Sequence, residues 1–216
     1  MQQIPPASRL ALSRRNLLLT AGPVLALSAK AVPAATLSEL TVTQALRERR
    51  SVRAFSDRKI DPALLAELLW AVFGINRPKE GLHTAPSWRG AADLIVHAAT
   101  EDGVVVYEPI SDRLRVWNAG DIRARLSPQP FVATAAVCLI FVSDLHRLEA
   151  AGSPDQQQLY ARVDAAMAAQ NAYLFSAARG LGTCLVGGID REAISGALGL
   201  AAHEFATFVQ PIGWPA

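Results

Sequence analysis

"LYARVDAAMAAQNAYLFSAARG", Leu159 to Gly180, is the stretch on which the fold turns. Alanines and large apolar residues fill it, and few polar positions interrupt them. The spacing predicts one long helix ending at Gly180 and buried on most of its sides. Such a helix needs other layers around it. On its N-terminal side, "FVATAAVCLIFVSD" (Phe131–Asp144) is a continuous apolar run ending in a polar turn, and it reads as a single buried strand. Before that, "ADLIVHAATEDGVVVYEP" (Ala92–Pro109) reads as a hairpin, two β-rich runs around a Glu101-Asp102-Gly103 turn.

Two helices come first. "DPALLAELLWAVFG" carries its own punctuation: Asp61 to cap the N-terminus, Pro62 for the first helical position, and Gly74 as a stop. A second helix, over Leu37 to Arg50, rests on a one-sided pattern of Leu40, Val42 and Leu46. After the central helix come a short strand in "TCLVGG", a helix in "DREAISGALG" capped by Asp190, and a closing strand in "FATFVQPIGW". The order predicts an α+β domain with a mostly antiparallel sheet flanked by helices. "NRPKEGLHTAPSWRGA" (Asn76–Ala91) is the longest loop-like stretch, and long loops often carry function.

The chain has 216 residues and a formal net charge of +2. That sign comes from the first 34 residues, which hold Arg9, Arg14, Arg15 and Lys30 and no acid. The remainder has 21 − 4 = 17 basic against 19 acidic groups, so no broad basic footprint for nucleic acid exists. "SRRNLLLTAGPVLALSAKAVPA" (Ser13–Ala34) has a basic region, a moderate apolar run, and small residues offering two cleavage sites. The run falls short of the roughly 20 apolar residues of a membrane span. Ser-Arg-Arg-x-Leu-Leu resembles the twin-arginine signal that exports folded proteins. Residues 1–34 are expected to be an export address, residues 35–216 the working domain, and the destination the periplasm. An uncleaved N-terminal anchor is the alternative.

No familiar catalytic constellation appears. His83, His97, His146 and His203 are scattered without metal-binding spacing, and His97 reads as a satisfied structural residue within a strand. Cys138 and Cys184 read as buried free thiols. There is no nucleophile elbow, P-loop or dinucleotide fingerprint. The feature left is "RERRSVRAFS" (Arg47–Ser56). Guanidinium forks and a neighbouring hydroxyl suit phosphate, and in an extended segment residues 49, 51 and 53 share one face. Spacing alone leaves a second reading open, a solvated helix end whose arginines favour the helix dipole.

At this point the chain resembles the nitroreductase family of flavin enzymes. "RRSVRAF" (Arg49–Phe55) is similar to that family's N-terminal flavin-mononucleotide signature. "TAPSWRG" resembles its Ala-Pro-Ser loop, "AAQNAYLFSAARGLGTCLVGGID" its central helix and following turn, and "VQPIGWP" its closing element. The resemblance implies an α+β homodimer with FMN at the interface. It implies that Arg49, Arg50 and Ser51 hold the phosphate and ribityl chain, and that Arg53 faces the pyrimidine edge. Pro86 and Ser87 would reach the flavin of the partner chain, and the Gly187–Gly188 turn would bring backbone close to flavin N5. Two departures stand out: Gly90 occupies a position where the family often has Asn, and the chain stops directly after "GWP". The first removes a polar contact; the second shifts the phosphate grip onto Arg49, Arg50 and Arg53.

The activity so implied is two-step transfer of hydride and electrons through the flavin, between a small-molecule donor and an acceptor, with no side chain required as acid or base. An exported enzyme would meet little NADH or NADPH, which implies another donor. The alternatives are an exported flavin-binding or ligand-binding protein with little turnover, and an alanine-rich interaction domain without a cofactor.

Overall fold

A computed structural model describes residues 40–216. The export address expected over residues 1–34, and the start of the first expected helix, lie outside the described residues. Helix α1 spans Val42–Glu48, shorter than the sequence suggests. Its start is set by a capping box: Thr41 accepts from the Gln44 backbone N–H while the Gln44 side chain answers the Thr41 N–H. Only Ala45 is buried; Val42 and Leu46 face outward, so the apolar stripe is not a core stripe of this chain. Helix α2 (Pro62–Phe73) follows its punctuation, with Asp61 accepting from the Ala63 N–H, Pro62 in the first turn and Gly74 at the C-terminus.

The main sheet has six strands in the spatial order β5 (Arg113–Ala119), β4 (Gly103–Glu108), β3 (Leu94–Thr100), β6 (Val137–Asp144), β8 (Glu204–Gly213) and β7 (Gly182–Thr183), and every pairing within it is antiparallel. Strands β3 (Leu94–Thr100) and β4 (Gly103–Glu108) form the expected hairpin. The edge strand β5 (Arg113–Ala119) was not foreseen. The expected loop Asn76–Ala91 holds a small hairpin, β1 (Ile75–Arg77) with β2 (Leu82–His83), and a 3-10 turn at Trp88–Gly90. The run Phe131–Asp144 is not one strand. Its first part belongs to helix α3 (Pro130–Thr134), begun by a proline in the first turn, and only Val137–Asp144 forms β6.

Strand β6 lies between β3 and β8 (Glu204–Gly213) and is buried on both faces. Because side chains alternate along a strand, Val137, Leu139 and Phe141 enter one core with α2 and the long helix α4 (Pro154–Ala178), while Cys138, Ile140 and Val142 enter a second. The second core is closed by Val132 of α3 and by Ile194 and Leu198 of α5 (Arg191–Leu198). Helices therefore cover both faces of the sheet. The two cysteines are buried and unpaired, as expected.

Helix α4 (Pro154–Ala178) is long but not buried on most sides. Its buried face consists of small residues: Ala161, Asp164, Ala165, Ala168, Ala169, Ala172 and Ser176. Leu159, Val163 and Met167, one turn apart, are about half exposed at 54%, 46% and 47%. Alanine lets the helix lie close to the sheet; Leu159, Val163 and Met167 point away from this chain's core, while Phe175 packs against it. No helix among the described residues is long and apolar enough to cross a membrane.

His97 also departs from expectation. It is buried and edge-on to Trp117, yet neither ring nitrogen has a hydrogen-bond partner. Burial first, and the Arg115 charge second, push its pKa down from 6.5 to about 4. A depressed histidine contributes stability that is complete above pH 6.5 and is lost as pH falls through about 4. The shift corresponds to roughly 3 kcal/mol at the acid end. His97→Phe, which removes the orphaned nitrogens at similar size, is expected to abolish this loss in denaturant titrations at pH 4 to 7. An unchanged acid limb would assign it to another group.

Candidate active site

The segment after α1 is extended, and three parts of the fold pin it. The Val52 N–H donates to the Thr183 carbonyl at 2.9 Å, and Ser51 makes a parallel bridge to the same residue of β7 (Gly182–Thr183). Gly182 permits this approach, since a Cβ there would meet the Val52 Cβ at 2.7 Å. Phe55 bridges Pro215, the Ser56 N–H donates to the Trp214 carbonyl at 2.8 Å, and the Ala216 N–H to the Ala54 carbonyl at 3.2 Å. The third anchor is Tyr173 on α4. Its hydroxyl lies 3.2 Å from the Ser51 hydroxyl, and its ring lies under the Arg49 guanidinium, 5.4 Å from ring centre to Cζ.

Arg49 and Ser51 thus meet one side chain, as the two-residue spacing requires. Arg50 is exposed and donates through Nη1 to the carbonyls of Arg47 and Arg49, tidying the end of α1. It lines a cavity of about 240 Å³ with Glu48, Val52, Tyr173, Thr183 and Pro215. Arg53 is exposed. Among the described residues, Arg49, Arg50 and Arg53 form no ion pair with an acid.

Tyr173 does a second job that the sequence did not reveal. Its hydroxyl accepts from the Leu185 N–H at 2.8 Å, two residues before Gly187. One phenol therefore ties the arginine segment to the glycine turn. Gly187 and Gly188 are exposed, and neither has a positive φ. An added Cβ would find only the Phe208 ring at 3.7 Å and the Gln129 amide at 3.4 Å. The chain's own packing does not demand glycine at either position, yet the result is bare, accessible backbone beside the arginine segment. Unpaired arginines and bare backbone joined through Tyr173 fit a flat anionic cofactor.

Pro86 and Ser87 lie elsewhere. Pro86 is exposed, while the Ser87 hydroxyl accepts from the Ala92 N–H at 2.9 Å and so closes the loop. The backbone between them is left-handed at Arg89 (φ 49), Gly90 (φ 72) and Ala92 (φ 50). Glycine and asparagine both tolerate that region, so Gly90 keeps the loop path while lacking a polar side chain. Trp88 stacks on Tyr160 of α4 at 4.9 Å, and its N–H donates to Asp164 Oδ2 at 2.7 Å. Asp164 and Asp93 are buried side by side. Burial first, with the Asp93 carboxyl adding to it against the Trp88 hydrogen bond, raises the Asp164 pKa from 3.8 to about 7. Neither Asp93 oxygen meets a hydrogen-bond partner among the described residues.

Within one chain the two groups of residues do not meet. Asp164 and Tyr173 stand about 14 Å apart along α4 at 1.5 Å per residue. The loop with Pro86 and Ser87 sits at one end of that interval and the arginine segment at the other.

A sequence model described as the nitroreductase family matches residues 46–214. A solved structure from Ralstonia eutropha JMP134 that bears the nitroreductase name superposes with a TM-score of 0.78 at 32% identity, covering 83% of this chain and 85% of that one. A curated relative from Methanocaldococcus jannaschii, also named for nitroreductase, is 26% identical over 187 residues, 82% of this chain and 92% of its own length. A Staphylococcus epidermidis structure named for NAD(P)H:FMN oxidoreductase shares the fold at 18% identity and a TM-score of 0.60, covering 82% of this chain and 90% of that one.

Proposed function

This chain belongs to the nitroreductase family of oxidoreductases, and from that premise we propose that it is an exported, FMN-dependent enzyme acting on a small organic substrate. The observation that carries the reading is the arginine segment: three guanidinium groups without acidic partners, joined through Tyr173 to exposed glycine backbone. Arg49, Arg50 and Ser51 would hold the phosphate and ribityl chain, and Arg53 the pyrimidine edge. The Gly187–Gly188 backbone would lie against the ring. When bound, FMN supplies the two-electron chemistry. The chain's own residues bind and orient it, and Tyr173 keeps the two binding segments in register.

Two observations support a homodimer. The Pro86–Ser87 loop and the arginine segment are held at separate points along α4, and a second copy would bring the loop of one chain to the flavin of the other. Helix α4 also carries the exposed stripe of Leu159, Val163 and Met167, and α1, which packs against α4, exposes Val42 and Leu46. An apolar stripe of this kind marks an interaction surface. Export would place the enzyme away from NADH and NADPH, so its electron donor would be another reductant. A folded-export route suits a cofactor loaded before transport.

Cell fractionation followed by sizing tests export and assembly together. The expected species is processed, periplasmic, yellow and twice the chain mass. Unprocessed cytoplasmic protein would remove the export reading, and a flavin-loaded monomer would remove the shared site. Gly90, which offers no polar side chain to a ligand, favours a second reading, a flavin binder with little turnover. Rapid reoxidation of the reduced protein by an organic acceptor separates the two: the enzyme reoxidises catalytically, whereas the binder turns over once.

A further inference from the structure

At the end of the sheet, away from the arginine segment, three side chains converge that the flavin chemistry does not use. Asp144 closes β6, His146 stands in the 3-10 turn that follows, and His203 precedes β8. One carboxylate oxygen and one nitrogen of each imidazole all lie within 4.8 Å of one another. The histidine rings are stacked at 4.0 Å and nearly parallel, and His203 Nε2 lies 3.9 Å from Asp144 Oδ1. The backbone beneath is cross-linked. The Leu145 N–H donates to the His203 carbonyl at 2.9 Å, and Asp144 stands opposite Glu204 in the β6–β8 register. Asp144 Oδ1 also accepts from the His146 N–H at 3.0 Å, which fixes the carboxylate.

We propose that Asp144, His146 and His203 form a three-ligand Zn2+ site with its fourth position open to water. Two imidazoles and one carboxylate are a ligand set that zinc accepts in tetrahedral geometry. Ligand atoms around zinc stand about 3.3 Å apart, given bonds of about 2 Å. The present spacing of up to 4.8 Å must shorten by side-chain rotation. Parallel rings direct their lone pairs side by side, so one ring must turn. His146 is exposed and free to do so, whereas His203 and Asp144 are partly enclosed. Arg147 is the competitor, with Nε 3.7 Å from Asp144 Oδ2 while Nη1 donates to the Ala92 carbonyl at 3.0 Å. Zinc would replace that weak pair and clamp the turn before β8 to the end of β6. The other described histidines are less suited: His83 Nδ1 is engaged with the Phe73 carbonyl, and His97 is buried.

The site is independent of the flavin assignment, and its test does not read activity. The full chain without an affinity tag is titrated with Zn2+ by calorimetry near pH 7.5. The expected result is one Zn2+ per chain. His146→Ala and His203→Ala should each weaken binding at least tenfold, and Arg147→Ala should tighten it. Co2+ should give the intense visible band of a four-coordinate site, lost in both histidine variants. His146 is on the surface, so its variant tests the site without a folding penalty. Absence of saturable binding, or binding equal in the wild type and His146→Ala, overturns the proposal.

Discussion

The Arg49→Ala/Arg53→Ala double variant is expected to purify colourless, while the wild type carries the visible absorption of bound flavin. Each arginine would make charge-assisted hydrogen bonds worth about 1.5–3 kcal/mol. Losing both costs roughly 3–6 kcal/mol, or two to four powers of ten in Kd. The fold should be nearly untouched, because neither guanidinium is in an ion pair among the described residues. Arg50 is a poorer probe, since its Nη1 also satisfies two carbonyls at the end of α1. The readout is flavin-to-protein ratio from the spectrum, with melting temperature as the control for folding. Full flavin in a normally melting double variant would show that the grip lies elsewhere.

Asp164→Asn is expected to raise stability at pH 8 and to leave it nearly unchanged at pH 4. The Asp164 pKa in the fold is raised from 3.8 to about 7. A raised pKa means that the folded chain keeps a proton that the unfolded chain has released. The associated stability is fully present below about 4 and is lost as pH rises through about 7. The loss is on the order of 2–4 kcal/mol. Asparagine has no proton to lose. Its amide N–H can face Asp93 while its carbonyl keeps the Trp88 N–H. His97 tilts the opposite way between about 4 and 6.5, so the wild-type profile there should be flatter than either group alone would make it. Denaturant titrations across pH should therefore show a steeper rising limb in Asp164→Asn and a steeper falling limb in His97→Phe. Parallel profiles in all three proteins would assign the pH dependence to other groups.

Local signals in the chain were strong where chemistry is local. Asp61, Pro62 and Gly74 marked α2, and Glu101-Asp102-Gly103 marked the hairpin, because caps and turns depend on near neighbours. Helix α3 was hidden by its apolar composition, although Pro130 was the available sign of a helix start. Strand β5 was hidden by its charge, although Arg113 and Arg115 alternate with apolar residues as an edge strand allows. The arginine segment and the glycine turn could be singled out by residue type. Tyr173 could not, since a phenol on a helix gives no sign of the two chain segments it will meet. The Asp93–Asp164 pair was equally invisible, since each residue looks like an ordinary polar position until the fold puts one against the other. The same holds for His97, whose structural place in a strand was foreseen and whose lack of partners was not.

The bonds that join Ala54 and Ser56 to Trp214 and Ala216 span nearly the whole described chain. Contacts of such long range form late. During synthesis the arginine segment emerges early, but the residues that hold it straight emerge much later, Trp214 lying 158 residues after Ser56. A nascent chain therefore presents the finished grip only once residues 214–216 have been made and are free to pair with it. Flavin capture would then wait on residues 214–216, and the interval before it becomes a checkpoint at which an empty protein differs from a loaded one.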